Sequence, residues 1–481
     1  MASVSTGHPR QGTAYRSAQL MSAHADCLHR TVKLELDDGR ATTLEEAEAL
    51  AASHVLQVVL GPNTRRSQTR QAMLLTAVNA GARAFLGGVR VVGDLDWSIT
   101  TPWTEGCRAD EAVGHYGGTP TSSLAAEYPT LVIGESSDQI AGSVVVHLTW
   151  QGWAGGVVDD ANERLAETDE FALAGVLAAA IGVAEAFQAA RGAPVAGRRC
   201  VGISLWRPDL DWRESGADGG PLLYLPSRLW ILGLGHLGQA YLWALGFLPY
   251  PDRNDVEVTL QDFDRVVEAN RATGMLVQAD TGMGYYKTRI AAEALEALGL
   301  RTRIIERRFD EHTRPGADDP IWALGAFDDP RPRRFLDVFT RAVDAGLGSG
   351  ADDYLAIRIH AFPAAGRATD VFGERDGGLV GSPRLRYSDL ERRMIEEGAS
   401  EVEARCGLVE LAGIAIGAAF VGVVAATLVV ADVLRALIED RTVAVLSLSL
   451  ASPEHVDIAV VAAGPTSNPG FQACSVDADL Q

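Results

Sequence analysis

Lysine is almost missing from this chain. Of its 42 basic residues only Lys33 and Lys287 are lysines, and every other positive charge is arginine. Positive charge as a whole is short, since 63 acidic residues leave a formal net charge of −21 at pH 7. A phosphate backbone needs a basic face, so nucleic acid is not expected as a partner. The excess of carboxylates reads as a solvated surface or a face for a small basic protein. Cysteine is sparse as well: Cys27, Cys107, Cys200, Cys406 and Cys474 form no C-x-x-C pair and no even framework. That argues against disulfide stapling and a structural zinc site, and for a reducing, cytoplasmic setting. The first twenty residues lack an apolar core and a cleavage pattern, so no signal peptide is expected. The remaining composition, 47% hydrophobic and 22% charged over 481 residues, is that of a soluble globular protein of two or three domains.

Glycine, by contrast, is plentiful at 50 residues, and one stretch uses it in a pattern. The apolar run Leu229, Trp230, Ile231, Leu232 leads into Gly233-Leu234-Gly235-His236-Leu237-Gly238 and then a helical stretch from Gln239 to Leu245. Strand, tight turn and helix in that order present backbone N–H groups and a helix N-terminus to a phosphate, with glycine where a Cβ would block the approach. Three glycines at these offsets alone are a weak signal, and the strand and helix on either side give them meaning. A second β-like run, Val256 to Leu260, ends in Gln261-Asp262-Phe263-Asp264, which puts a carboxylate where it can accept ribose hydroxyls. Dinucleotide and ATP both remain open at this point.

Lys287 tips the balance. In a chain that otherwise uses arginine for positive charge, a lone lysine downstream of the turn is no generic surface charge. A compact ammonium suits a phosphate as a mobile point charge, whereas a planar guanidinium demands a fork-shaped partner. A nucleoside triphosphate is therefore the better reading.

Taken in order, the glycine turn, "QDFDRVVEAN" at 261–270, "GYYK" at 284–287 and "GAFDD" at 325–329 resemble the adenylating enzymes of the ThiF/MoeB and ubiquitin-activating superfamily, over roughly residues 227–440. The resemblance implies an ATP and Mg2+ site. In it Gly233, Gly235, His236, Leu237 and Gly238 form the nucleotide turn, and Asp262, with Asp264 beside it, takes the ribose. Asn270 and Lys287 hold the phosphates, and Asp328 positions the metal. Two departures stand out. The family usually has an arginine three residues after the asparagine, where this chain has Thr273, with Arg271 next to Asn270 instead. Either Arg271 takes over that catalytic role, which is the first choice, or an arginine arrives from elsewhere: Arg10 or Arg16 in the N-terminal arm, or Arg65, Arg66 or Arg70. Several relatives also carry a paired-cysteine zinc site, which is missing here.

The pattern along the chain predicts an α/β protein of two tandem Rossmann-like (ThiF-type) halves. A polar arm (1–30) precedes an inactive half (31–206), an Asp/Gly/Pro-rich linker (207–220) and an active, ATP-binding half (221–481) whose crossover loop spans 364–407. In the first half a strand is expected at Thr31–Leu36, and a capping box at Thr43–Glu46 opens a helix. A buried strand then ends in Gly61-Pro62-Asn63, and Ser67–Ala80 reads as an amphipathic helix. The Ala/Gly-rich run at 171–192 matches in type and order the apolar run at 408–438. This repeat supports two Rossmann-like halves, of which only the second keeps a phosphate turn. The run at 408–438 is long enough to cross a bilayer, but a buried helix of a large α/β core has the same composition.

Cys406 lies between that crossover loop and the apolar run, beside Arg405. A thiol at a helix N-terminus next to a cation is stabilised as thiolate. The family often carries its working cysteine here, so Cys406 is the candidate nucleophile for an acyl group. The function implied is ATP-dependent activation of the C-terminus of a ubiquitin-like or sulfur-carrier protein, with thioester formation and transfer to a conjugating enzyme. The layout resembles bacterial relatives in antiphage-defence operons. The chain would act as a homodimer or an intramolecular pseudo-dimer. The alternatives are a sulfur-carrier adenylyltransferase of cofactor biosynthesis, a NAD- or FAD-dependent oxidoreductase, and a non-catalytic scaffold.

Overall fold

The computed structural model describes residues 28–135, 140–168, 170–373, 391–392, 395–396, 400–401, 415–438, 441–462 and 468–474. Two short helices, α1 (Arg30–Asp37) and α2 (Leu44–Ser53), precede the first sheet. Its strands are β1 (Leu56–Leu60), β2 (Val89–Val92), β3 (Gly118–Pro120), β4 (Thr130–Ile133), β5 (Val145–Gln151), β6 (Ala154–Val158) and β7 (Val201–Ser204), in the order β3-β2-β1-β4-β5-β6-β7. The first five are parallel and the last two antiparallel. Its helices are α3 (Gln68–Ala84), α4 (Ala109–His115) and α5 (Ala172–Ala190).

The second sheet repeats this walk. Strands β9 (Arg228–Leu232), β10 (Glu257–Gln261), β11 (Arg301–Ile305), β12 (Trp322–Gly325), β13 (Arg341–Leu347), β14 (Ala356–Phe362), β15 (Arg441–Ser449) and β16 (Val456–Ala462) lie in the order β11-β10-β9-β12-β13-β14-β15-β16. Again five are parallel and the rest antiparallel. Counted from its own first strand, each sheet begins 3-2-1-4-5, the order of a doubly wound nucleotide-binding sheet. Helices α6 (His236–Gly246), α7 (Lys287–Ala297) and α8 (Ala419–Ala436) belong to this half. A ribbon of β8 (Tyr224–Pro226) and β17 (Phe471–Ala473) ties the chain's end to the start of the second half.

Between the sheets the helices form one layer: α3 packs on α5, α6 on α8, and α8 meets both α3 and α5. Small residues permit this closeness. A Cβ on Gly175 would lie 2.6 Å from the Thr69 carbonyl, and one on Gly155 2.4 Å from that of Ala174. Phe187 of α5 meets Phe420 of α8 at 5.5 Å between ring centres, which joins the halves in one core. Helices α5 and α8 are long and apolar enough to cross a membrane, yet 89% and 94% of their apolar windows are buried inside the protein. They are core helices here.

Three expectations need correction. Thr31–Leu36 is helical, within α1. Thr31, Val32, Lys33, Leu34, Glu35 and Leu36 are all buried, so the alternation of polar and apolar residue types is no alternation of burial. Polar Lys33 is buried against Asp37 one turn on, and Glu35 against Arg191. Helix α3 is not half-solvated, because its polar face is a second interface. Trp243 Nε1 donates to Thr76 Oγ1, and Asn79 Nδ2 donates to the Met275 carbonyl in the other half. Residues 207–220 are no loose linker: Trp212 is buried over Gly202 of β7, and the Trp153 N–H donates to the Asp218 carbonyl. The capping box at Thr43 and Glu46 forms as read.

Candidate functional site

The glycine turn closes β9 and opens α6. Gly233 sits at φ +88°, where a Cβ would also strike the Ala326 carbonyl at 2.6 Å, so only glycine makes this turn. Gly238 packs beneath, with its Cβ position 2.0 Å from the Gly233 carbonyl. Gly235 has nothing within 4 Å of its Cβ position and faces open space. The three glycines divide into turn, approach and packing, as a phosphate-binding turn requires.

In front of this turn lies a cleft of about 560 Å³. Gly233, Gly235, His236, Leu237, Asp262, Asp264, Asn270, Lys287 and Asp328 line it, so the structure gathers most of the candidates in one place. Gly238 supports the turn from below. Asp262 anchors the turn: its Oδ2 accepts the Leu234 N–H at 2.6 Å and its Oδ1 the Asp264 N–H at 2.7 Å. Burial raises its pKa from the ordinary carboxylate value, and nearby Lys287 opposes the shift. Lys287 is the first residue of α7 and reaches back to Asp264, Nζ to Oδ2 at 3.0 Å. Asn270 spends its Oδ1 on the Val267 N–H at 2.9 Å, which fixes the amide so that its NH2 remains for a ligand. Asp328 Oδ1 accepts the Asp329 N–H at 2.7 Å, while Asp329 itself is held by Arg331.

His236 is no base. Burial drives its pKa down to about 4, and its ring wedges between α6 and the start of α8, where a Cβ on Gly422 would lie 2.4 Å from Nε2. Arg271 stays outside the cleft lining. Its guanidinium donates to the Gln278 carbonyl at 2.6 Å and pairs with Glu268 at 2.8 Å. Another arginine does line the cleft: Arg30, the first residue of α1. Arg308, stacked over Phe263 at 4.0 Å, and Arg333 line it too. Sequence reasoning passed over all three, because none sits in the ordered motifs. The nearest hint was Thr273, which marked an arginine as owed from elsewhere. Cys406 lies outside the described residues, which resume at Ala415, and Ala415, Ile416 and Gly417 line the cleft's mouth.

In the first half a carboxylate stands at the head of the corresponding helix. At the head of α3 the Glu170 carboxylate accepts the Thr69 N–H at 2.8 Å and the Ser67 hydroxyl at 3.0 Å. Glu167, in a left-handed conformation at φ +54°, pairs with Arg70 and Arg164 beside it. After β2, where the second half has Asp262, stands Gly93.

Comparison with known proteins matches the two parts of the chain to two family models. Residues 55–205 match a family described as the BilD N-terminal domain, and residues 225–440 one described as the BilD C-terminal domain. A bacterial E1-like protein, BilD of Collimonas sp. (strain OK412), is 35% identical over 447 residues, which take in 91% of this chain and 94% of that protein. Among solved structures, E. coli MccB aligns at 16% identity over 50% of this chain and 63% of its own, with a TM-score of 0.30, and its complex with ATP at 14% with a TM-score of 0.29. This chain thus spans less than two thirds of MccB, too loose a superposition to bear on its chemistry.

Proposed function

The chain belongs to the BilD family of bacterial E1-like proteins, and from that membership we propose that it activates the C-terminal carboxylate of a ubiquitin-like protein with ATP. The observation that carries this reading is the convergence of the glycine turn, Asp262, Asn270, Lys287 and Asp328 on one cleft, which Arg30 lines too. The turn and the N-terminus of α6 cradle phosphate, Asp262 takes the ribose, and Asn270, Lys287 and Arg30 gather the triphosphate charge. A carboxylate oxygen then attacks the α-phosphorus in line. The bond to the bridging oxygen breaks, pyrophosphate leaves with the electron pair, and an acyl-adenylate remains. Arg30 fills the role left open by Thr273.

Mg2+ fits this cleft as a passenger of the triphosphate. No cluster of three metal-binding side chains exists among the described residues, and Asp328 offers a carboxylate with one oxygen uncommitted, the usual single-carboxylate hold on a phosphate-bound magnesium. Its contribution would be to neutralise charge on the leaving pyrophosphate.

The first half is a partner without a nucleotide. Glu170 sits where a phosphate would meet the head of α3, which supports a tandem arrangement of degenerate and active halves, an intramolecular pseudo-dimer. Cys406 is the nucleophile proposed to take the acyl group as a thioester for transfer to a conjugating enzyme.

The test mixes the protein with MgATP and a small β-grasp protein encoded beside its gene. Carrier-dependent ATP–pyrophosphate exchange, with a thiol-sensitive adduct that Cys406→Ala abolishes, is the expected result. Exchange without an adduct would remove Cys406 from the mechanism, and no exchange would remove adenylation.

A further inference from the structure

One buried charge pair is not used by the turn or the phosphate groups. Asp344, in the middle of β13, has no solvent exposure, and neither of its carboxylate oxygens accepts a hydrogen bond among the described residues. Gly325 on the neighbouring strand leaves room for it, since a Cβ there would lie 2.5 Å from Asp344 Oδ1. Among the described residues its one charged partner is Arg333, whose Nε stands 3.3 Å from Oδ2. A carboxylate kept in the core with a single partner is costly, and its presence calls for a reason.

Arg333 supplies the reason. It lies in the wall between two cavities: the nucleotide cleft and a groove of about 680 Å³ over β13, β14 and β15, the two sharing Arg333, Leu347 and Gly348. Its Nη2 donates to the Phe327 carbonyl at 2.7 Å and more loosely to that of Ala345 at 3.4 Å, while Nε faces Asp344. Among the described residues Nη1 is the nitrogen left over. It lies beside Gly346, whose missing side chain keeps its surroundings open: a Cβ there would come within 3.2 Å of Nη1. Two carbonyl contacts and the ion pair with Asp344 thus hold a guanidinium that lines both cavities, five residues beyond Asp328.

We infer that Arg333 receives the carboxylate to be activated, and that Asp344 is the positioning residue that aims it. The assignment rests on the adenylation reading and names the group that holds its second substrate. The groove is of mixed lining, with Gly346, Gly348, Ser447 and Ser449 beside Arg358 and Asp353, and its volume of about 680 Å³ leaves room for a chain end that brings its carboxylate to Arg333. With Nη2 on two carbonyls and Nε facing Asp344, Arg333 grips one carboxylate oxygen from Nη1 and leaves the other free to attack the α-phosphorus. A two-pronged grip would tie up both oxygens. The guanidinium stays protonated throughout and moves no proton.

The test compares Arg333→Gln, Arg333→Lys, Asp344→Asn and the double variant R333Q/D344N, which removes both charges and so leaves no uncompensated carboxylate in the core. Fluorescent mant-ATP titration without carrier reads nucleotide binding, and carrier-dependent ATP–pyrophosphate exchange with the adjacent β-grasp protein reads the second substrate. Loss of one charge-assisted contact predicts a carrier KM raised by about tenfold or more in Arg333→Gln and in the double variant, with the mant-ATP Kd within about twofold of wild type. Arg333→Lys should recover part of the loss, and Asp344→Asn should raise carrier KM by several-fold with little change in kcat. A mant-ATP affinity that falls in step with carrier KM would make Arg333 a nucleotide group, and an unchanged carrier KM would remove it from the site; either overturns the assignment. If the wild-type chain binds mant-ATP but exchanges nothing, the adenylation reading fails and this assignment falls with it.

Discussion

At Lys287 two demands meet. It is the first residue of α7 and is paired with Asp264, and on the proposed function its ammonium leaves Asp264 for the incoming phosphate. The 3.0 Å pair is a resting place for the charge, and a polyanion competes for it on favourable terms. Lys287→Gln should therefore fold normally and lose triphosphate affinity by about tenfold to a hundredfold, read by mant-ATP titration. Unchanged affinity would show that the ammonium never leaves Asp264. His236 and His29 make a second residue-scale prediction, since burial lowers each from 6.5 to about 4. The unfolded chain takes up these protons near pH 6.5, whereas the folded chain resists them until about pH 4. The associated stability is complete above pH 6.5 and drains away as pH falls through that interval, on the order of 3 kcal/mol per histidine at most. Urea midpoints measured from pH 7.5 down to 4.5 should fall, and His236→Gln should flatten the slope.

Among the elements, α3 shows how the first half serves the second. Arg83 near its end donates Nε to the Gly274 carbonyl at 3.0 Å and Nη2 to that of Val277 at 2.9 Å, while Asn79 holds Met275. These contacts clamp the chain between Asn270 and Lys287. Arg83→Ala should cost about 3 kcal/mol or more of stability and raise the KM for ATP, although the residue never reaches the cleft. Loss of stability with an unchanged KM would mean that the clamp holds the fold and not the site. The same helix marks what sequence could and could not convey. Its strand-turn-helix setting, the two core helices and the ordered motifs from Gly233 to Asp328 are local patterns, and each was legible. The use of its polar face was not, because an amphipathic stripe looks the same whether it meets water or a matching set of carbonyls. Arg30 was illegible for a related reason: it is brought to the cleft by α1, which packs against the turn at 268–272, some 240 residues further on. Thr31–Leu36 misled because Lys33 and Glu35 are buried by ion pairing, so polarity there does not report exposure.

Taken whole, the molecule is two sheets of one topology wrapped around a common layer of helices, with the motif cleft in the second half and the Glu170 carboxylate on the head of α3 in the first; on the proposed function only the second half takes a nucleotide. The stoichiometry of nucleotide binding should accordingly be one per chain in equilibrium dialysis. Glu170→Ala should lower stability by about 1 to 2 kcal/mol through the lost cap and leave that ratio unchanged, since Gly93 stands where Asp262 would be needed. Two nucleotides per wild-type chain would contradict the proposed degenerate first half. The shared helix layer also governs how such a chain must be made. Helices α3 and α5 leave the ribosome early, but α8, which covers them, begins about 230 residues after α5 ends. At ordinary translation speeds that gap lasts roughly 10 to 50 s. Throughout it the nascent first half carries the Ala-rich face of α5 without the helix that will cover it, and messenger pauses before α8 would lengthen that exposure.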